Sequence, residues 1–424
     1  MKTIFRFATI VLLTLYFWPI TSYAQEKILT FNEYLENVKK SNINYLVEKY
    51  NVDIAKANVI AAKVFPDPNL ILEGANNQNW DMLMGYNYAV GLEYNLELGG
   101  KRKARIKVAQ SEADLADVQL EDYFRNLRAD ATLVYLLVLK QKQLFEIQKS
   151  SYQHMADLAY ADSVRFKSGH IKEVDAHQSR LEANIMFNDV LGSKSDLRDA
   201  LIQLALMQGD KEMQFPDSLS GELKYFKREF DLLSLITTAQ DNRTDLQVAL
   251  KSKEVSQNNL KLTQANRVVD LDLNIEVTRF SKIRNTMASA PAYTSFSGSV
   301  GVPLRFSNAN KGILNVSKLA LLQSEADYEA TKLQIKSDVI QAYHKYMATC
   351  QQVDQFNTRL LNSAETILQK KVHSYQQGET SILEVLNAQR TYNDVQVNYN
   401  ETLYGRAAAL IELERATGIW DIEM

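Results

Sequence analysis

The hydrophobic pattern alternates along the chain between two periods, one of two residues and one of about 3.5 residues. Every even position from 86 to 96 is apolar or aromatic, whereas from 271 to 277 the odd positions are apolar. Such alternation predicts β-strands with one apolar and one polar face. Each strand has about 7–12 residues, which is long enough to cross a membrane when tilted. The predicted strands lie near 69–75, 86–97, 271–280 and 293–304.

Long helical runs separate these strands. Residues 101–168 and 313–377 contain neither glycine nor proline. The first run alone would form a helix of about 100 Å, a length typical of a coiled coil rather than of a globular core. Apolar residues mark the heptads, at Leu120, Phe124, Leu127, Ala131, Val134 and Val138 in the first run and at Ile335, Val339, Tyr346, Val353, Leu360 and Ile367 in the second. Gly169 and Gly378 interrupt helical sequence that then continues, so each predicts the tip of an antiparallel helical hairpin.

The chain is an internal duplication. The sequence Gln-Ser-Glu-Ala-Asp occurs at 110–114 and again at 323–327. Phe166 and Gly169 have the same spacing as Tyr375 and Gly378. Further matches pair Asp130 and Tyr135 with Asp338 and Tyr343. We expect a first repeat, an inter-repeat segment, a second repeat and a tail at 25–209, 210–230, 231–418 and 419–424.

Each repeat is read as a helix, two strands and a long helical hairpin, so the fold is mainly α-helical with a smaller β portion. The two repeats form one fold rather than two domains. Four strands cannot close a barrel, and an open sheet edge is forbidden in lipid. Two copies would give eight strands, and three would give twelve, which leaves room for a lumen. The length of the helical part favours a homotrimer with a twelve-stranded barrel and an α-helical barrel.

The N-terminus predicts an export signal. Lys2 and Arg6 precede the mostly apolar stretch 8–20, and small residues at Ser22 and Ala24 suit a signal peptidase. We therefore expect a signal peptide at 1–24, with an uncleaved anchor as the alternative. Beyond it, no window of the sequence holds 18 consecutive apolar residues. An exported chain of this kind is either a soluble periplasmic protein or an outer-membrane protein that crosses by β-strands.

Composition and the absence of known motifs argue against several classes of function. The 424 residues include only 15 glycines and 6 prolines, and the formal net charge is −3. No basic excess points to nucleic acid. The Gly99-Gly100-Lys101-Arg102 segment resembles a phosphate loop but lacks its first glycine and its Ser/Thr, so a strand-to-helix turn is expected. No catalytic motif is present, and we expect no enzyme activity, no cofactor and no metal site, with a relay through His170 and His177 as the alternative.

The order of these elements resembles the TolC family, the outer-membrane factors of tripartite efflux systems. The resemblance covers nearly the whole mature chain, including Leu-Thr-Phe-Asn-Glu-Tyr-Leu at 29–35 and Leu-Glu-Arg-Ala-Thr-Gly at 413–418. It implies a homotrimer in outer-membrane lipid that extends into the periplasm. It also implies a periplasmic adaptor and an inner-membrane pump of the RND type as partners. Within the family, the chain is most similar to the branch that serves metal-cation and small-molecule pumps.

The resemblance assigns roles to single residues. The adaptor would contact the tips at Phe166, Gly169, Asp175, Arg180, Tyr375 and Gly378. A periplasmic aperture would be formed by Tyr375, Glu384, Asn387 and Arg390. Asn387 stands where the family has a second acid, and by charge Arg390 and Arg180 are the candidate partners of Glu384. The alternation itself places one set of side chains toward lipid: Tyr86, Tyr88, Val90, Leu92, Tyr94 and Leu96.

Two alternatives remain open at this level. A periplasmic coiled-coil scaffold or surface adhesin would share the long helices, but it would not need four alternating strands that carry tyrosine and phenylalanine. Within transport, a duct for type I protein secretion would share the same architecture. The sequence does not name the exported substrate, because selection in such systems lies in the pump.

Overall fold

The computed structural model describes residues 28–78, 83–216, 218–223, 228–304, 309–356 and 358–421. The predicted signal peptide lies outside these ranges. None of the helices in the described ranges combines the length and the apolarity that a membrane-spanning helix requires.

The described elements follow the same order in both repeats. The helices are α1 Phe31–Ser41, α2 Ile43–Ala62, α3 Lys101–Lys167, α4 Glu173–Gln208, α5 Leu232–Asn242, α6 Thr244–Ala265, α7 Ala309–Gln355, α8 Thr358–Gln376 and α9 Ile382–Thr417. The strands are β1 Ile28–Leu29, β2 Asn69–Asn76, β3 Tyr86–Leu96, β4 Ser218–Leu219, β5 Leu271–Phe280 and β6 Tyr293–Gly301. Each repeat thus has two short helices, two long strands and a long helical hairpin, which confirms the predicted duplication.

The four predicted strands form one antiparallel sheet in the order β2-β3-β5-β6. The central pair, β3 with β5, joins the first repeat to the second. Leu92 lies opposite Leu70 on one side and Ile275 on the other. Within the described residues, β2 and β6 each pair along one edge only, so the sheet has two open edges.

The first glycine-free run is a single helix, as predicted. Helix α3 has 67 residues and therefore extends over about 100 Å. Its N-terminal part packs against α2 and α6. The helix also packs against α4, the other arm of its hairpin, and against α9 of the second hairpin. No proline or glycine lies inside it, and the C-terminal turn holds Arg165 and Lys167, which suit the helix dipole.

The second run is divided, because α7 ends at Gln355 and α8 begins at Thr358. Before this break the heptad residues Val339 and Val353 are buried, as expected. After it the buried positions are Ala364, Leu368 and Tyr375, one residue later than the heptad predicts. The expectation that Leu360 and Ile367 continue the packed face of this chain is therefore wrong: the break shifts the register, and both side chains are exposed.

A buried tyrosine anchors the connecting segment of each repeat. The Tyr135 hydroxyl donates to the Ser220 carbonyl oxygen at 2.6 Å, and the Tyr346 hydroxyl donates to the Arg228 carbonyl oxygen at 3.1 Å. Phe31 and Phe230 contact these rings edge-on, at centroid distances of 5.3 and 5.5 Å. The counterpart of Tyr135 is thus Tyr346 and not, as the sequence match suggested, Tyr343, which lies about one helical turn earlier.

Candidate functional site

One face of the four-stranded sheet is apolar and exposed. The even positions of β3 lie on it, and Tyr88, Val90 and Leu92 are all largely exposed. The register places apolar residues of the other three strands on the same face: Leu70, Leu72, Ile275, Val277, Phe296 and Val300. A continuous apolar surface across four strands has the pattern of a lipid-facing surface rather than that of scattered exposed residues.

The opposite face of the sheet is polar and acidic. It carries Glu73, Glu93, Asp272 and Glu276 together with asparagine and serine side chains. Among the described residues of these four strands, no lysine or arginine lies on this face. Four carboxylates without a lysine or arginine on one face of the sheet would attract cations and repel anions. Alternation alone predicts Glu93 and Asn95 on the polar side of β3, whereas the register is needed to bring Glu73, Asp272 and Glu276 onto the same face.

Charged pairs fix the junction between the sheet and the helices. Lys101, at the start of α3, is buried and its Nζ lies 2.5 Å from the Asp270 carboxylate, which also accepts the Leu98 N–H at 3.0 Å. Arg105 forms two hydrogen bonds with Glu97, at 2.7 and 3.2 Å. Since its carboxylate partner already neutralises Lys101, the Gly-Gly-Lys-Arg segment is a strand-to-helix turn and not a phosphate loop.

The two hairpin tips, residues 168–172 and 377–381, share one turn geometry. Gly169 and Gly378 have φ of 78° and 81°, in the left-handed region that favours glycine. The residue after each glycine closes the helix end with a backbone bond, from His170 to Arg165 and from Glu379 to Ser374, both 2.9 Å. Both α3 and α8 thus end in the same glycine-dependent cap before the chain reverses.

A buried link joins the two hairpins near the tips. The Tyr375 hydroxyl donates to Oδ1 of Asp162 at 3.0 Å, and both residues are buried. Arg165 lies over the Tyr375 ring, 5.1 Å from its centroid, and 3.8 Å from the same carboxylate oxygen. Burial raises the pKa of the Asp162 carboxyl, and it also raises the pKa of Tyr375. Helix α8 is thereby tied to α3.

A second link ties α9 to α4. Arg390 donates from Nε and Nη2 to the two oxygens of Glu182, at 2.8 and 2.6 Å. This paired geometry is the strongest arrangement available to an arginine and a carboxylate. Glu384 instead pairs with Lys371 of α8, at 2.5 Å. The hydrogen bond from Lys371 lowers the pKa of the Glu384 carboxyl.

The sequence profile of the family described as outer membrane efflux protein matches residues 37–210 and 235–419. The chain belongs to the outer membrane efflux protein family. This assignment confirms the resemblance to TolC-type factors near the metal-efflux branch. Members of the family are outer-membrane efflux channels, which are not enzymes.

Individual relatives agree with this membership. The chain is 21% identical over 392 residues to the cobalt-zinc-cadmium resistance protein CzcC of Cupriavidus metallidurans, covering 92% of this chain and 90% of the relative. The fold is similar to the CmeC outer membrane channel of Campylobacter jejuni, with a TM-score of 0.76, 15% identity and coverage of 91% and 85%. It is also similar to CusC, with a TM-score of 0.74, 16% identity and coverage of 92% of each chain.

Two expectations for the efflux-family aperture need correction. Tyr375 was expected to face the channel axis, but its ring is buried between the hairpins of one chain. Arg390 and Arg180 were expected to partner Glu384, but Arg390 reaches across to Glu182 and Glu384 pairs with Lys371. Lys371 lies opposite Glu384 in the antiparallel pair α8–α9, whereas both oxygens of Glu182 hold Arg390.

The remaining tip residues of this family member lie at the surface. Asn387 and Arg180 are exposed, Phe166 is 40% exposed, and Asp175 is half-buried near the start of α4. His170 and His177 are also exposed, and His177 lies 3.4 Å from Glu173. Over the part of the chain that the structure describes, no group of three or more His, Cys, Asp or Glu side chains is placed to hold a metal ion. The contact of the tip residues with an adaptor stays a prediction.

Proposed function

We propose that three copies of this chain form the outer-membrane duct of a tripartite efflux system, which passes cations outward. The observation that carries the proposal is that, among the described residues, the sheet and the helical layer both end in edges without a partner. The sheet stops at β2 and β6, and the helical layer stops at helices whose outer faces are apolar.

The sheet edges require a neighbour in lipid. An unpaired backbone N–H or C=O in the bilayer costs several kcal/mol, so an open sheet cannot stay there. Pairing β2 of one copy with β6 of the next would satisfy both edges. Three copies would give a closed twelve-stranded barrel with the apolar face toward lipid and the acidic face toward the lumen.

The helical edges favour the same assembly. Helices α2, α3, α6 and α7 pack in that order, which leaves α2 and α7 at the two ends. Exposed apolar side chains line both, namely Leu46, Val47, Tyr50 and Ile54 on α2 and Ile313, Val316, Leu319 and Leu322 on α7. On α2 they recur at spacings of three and four residues, as in a coiled-coil seam. Leu360 and Ile367, exposed in one chain, would likewise meet a neighbouring copy.

The partners follow from the position of the hairpin tips. The tips lie at the far end of α3, about 100 Å from the sheet, so a duct held in the outer membrane would present them deep in the periplasm. There a periplasmic adaptor and an inner-membrane pump of the RND type would dock. The two identical glycine turns offer the adaptor two similar contacts per copy.

The acidic lumen and the relatives support cations as the substrate class. Three copies would place twelve strand carboxylates around one lumen, and CzcC is named for resistance to cobalt, zinc and cadmium. Deleting the gene should lower tolerance of these divalent ions, and restoring it should restore tolerance. Unchanged metal tolerance with loss of a secreted protein would favour the type I secretion duct instead.

Charge on the apolar face should prevent insertion. Leu92→Arg is expected to cost about 2–4 kcal/mol if it lies near the bilayer midplane, and the amount of heat-stable trimer in the outer-membrane fraction should fall sharply. Glu93→Arg, the adjacent position on the polar face, is the matched control and should assemble. Equal assembly of the two variants would contradict the assignment of the faces.

The two inter-hairpin links should restrain the periplasmic mouth. Combining Tyr375→Phe with Arg390→Ser removes both, and single-channel conductance in planar bilayers should rise. Each single change should raise the conductance less than the double change, because the other link would still hold the two hairpins together. Arg180→Ser, which alters an exposed arginine of α4 and neither link, should leave conductance unchanged. A double variant with the conductance of the unaltered protein would reject the clamp.

A further inference from the structure

A single arginine interrupts the apolar face of the sheet. Among the described residues of β2, β3, β5 and β6, Arg279 is the only lysine or arginine. The register places it on the apolar face, between Tyr88 of β3 and Thr294 of β6. It is exposed, and the partner of its guanidinium among the described residues is the Thr294 hydroxyl rather than a carboxylate. A guanidinium on a lipid-facing surface needs an anion, because an unpaired charge in an apolar medium is costly.

The position of Arg279 along the strand indicates where that anion comes from. Leu271, where β5 leaves the helical part, and Arg279 are separated by eight residues, or about 26 Å along the strand. An apolar band of a membrane barrel is about 25 Å tall. A strand tilted by about 35–45° gains about 20 Å of height over this length. Arg279 therefore lies near the border of the apolar band that is farthest from the helices, toward the outer-leaflet headgroups.

The surroundings of Arg279 suit a phosphate group. Its Nη1 donates to the Thr294 hydroxyl oxygen at 2.9 Å. No other acceptor among the described residues binds this guanidinium, so its remaining N–H groups could meet a ligand. The Thr294 hydroxyl and the exposed Tyr88 hydroxyl can both donate hydrogen bonds. The following loop, 281–292, adds the exposed cations Lys282 and Arg284 and contains no acid. Arginine binds phosphate with two parallel hydrogen bonds, and this pairing is stronger than a neutral hydrogen bond.

We propose that Arg279, with Thr294 and Tyr88, binds the phosphate of a phosphorylated outer-leaflet lipid of the lipid A type. The inference rests on the proposed function, since it requires the apolar face to meet the outer leaflet. In this proposal Arg279 binds a lipid outside the barrel and does not line the duct. Bound lipid would stabilise the assembled sheet at the level where its strands leave the membrane.

The test uses the purified full-length protein in neutral detergent. Binding of diphosphoryl lipid A, of the same lipid with its phosphates removed, and of inorganic phosphate is measured by native mass spectrometry. We expect the phosphorylated lipid to bind about tenfold more tightly than the dephosphorylated one, the effect of one charge-assisted contact. Arg279→Gln should abolish the preference and Arg279→Lys should retain part of it. Arg198→Gln, an exposed arginine on α4, should retain it fully.

Several outcomes would overturn the inference. Equal binding of the two lipids by the unaltered protein would do so without any variant. An Arg279→Gln protein that keeps the preference would exclude this arginine, and tight binding of inorganic phosphate alone would indicate a free-anion site. A trimer that conducts ions but shows no lipid preference rejects this inference only. A protein that forms neither trimer nor channel rejects the proposed function.

Discussion

Aspartate at both Val47 and Ile54 is expected to convert the trimer into monomers. The two side chains lie one heptad apart on the outer face of α2, each more than half exposed in the single chain. Burying the exposed half of such a side chain against a neighbour contributes about 0.8–1.5 kcal/mol, half of the value for full burial. Each variant copy would lose two of these contacts. A buried unpaired carboxylate adds a further cost. The trimer should therefore be lost at all three interfaces, as measured by migration without heating or by light scattering in detergent.

Leu233→Asp is the matched control for this experiment. Leu233 is an exposed leucine of α5, which is not one of the two edge helices. It should leave the trimer intact. A normal amount of heat-stable trimer in the Val47 and Ile54 double variant would show that α2 is not an assembly edge.

Gly378→Val is expected to abolish export while the trimer persists. The glycine has a φ of 81°, a conformation that costs an ordinary L-residue about 1–2 kcal/mol. A Cβ atom built there meets no other atom within 4 Å. The damage should therefore come from the turn itself, which would open and displace the tip that the adaptor contacts. Metal tolerance of cells that express the variant measures export, and gel migration measures assembly.

Gly192→Val is the control that adds the same valine side chain without disturbing a left-handed turn. A Cβ atom at Gly192 also meets nothing within 4 Å, but its φ is not in the left-handed region, and it lies inside α4. We expect the Gly192→Val protein to export normally. Normal export by Gly378→Val with normal trimer levels would contradict the assignment of the tip as the docking site.

The period of the hydrophobic pattern and the positions of glycine and proline predicted most of the fold. Alternation of apolar and polar residues located the four strands, and the absence of glycine and proline located α3. The break between α7 and α8 was not predictable in this way, because no glycine or proline marks the described residues around it. A helix can end inside such a run when the segments before and after the break bury different heptad positions. The exposed Leu360 and Ile367 show that change of register.

The candidate sites depended on contacts between distant segments. Gly169 and Gly378 were predictable, because only a left-handed turn requires glycine at those points. The partner of Glu384 was not, since Lys371 is 13 residues away and becomes its neighbour only when α8 and α9 fold back. Charge alone suggested Glu384 as the partner of Arg390, whereas the packing of α9 on α4 brings Arg390 to Glu182. The acidic face of the sheet likewise appears only when β2, β3 and β5 are in register.

The reversal potential in a planar bilayer shows whether this chain forms a trimeric, cation-conducting duct. Purified trimer is added to one side of a bilayer that separates two potassium chloride concentrations. We expect discrete channels whose reversal potential has the sign of a cation-selective pore, because all the charged residues described on the polar strand face are acids. Replacing Glu73, Glu93 and Glu276 by glutamine should reduce that selectivity. Absence of channels, or a reversal potential of the opposite sign, would contradict the account.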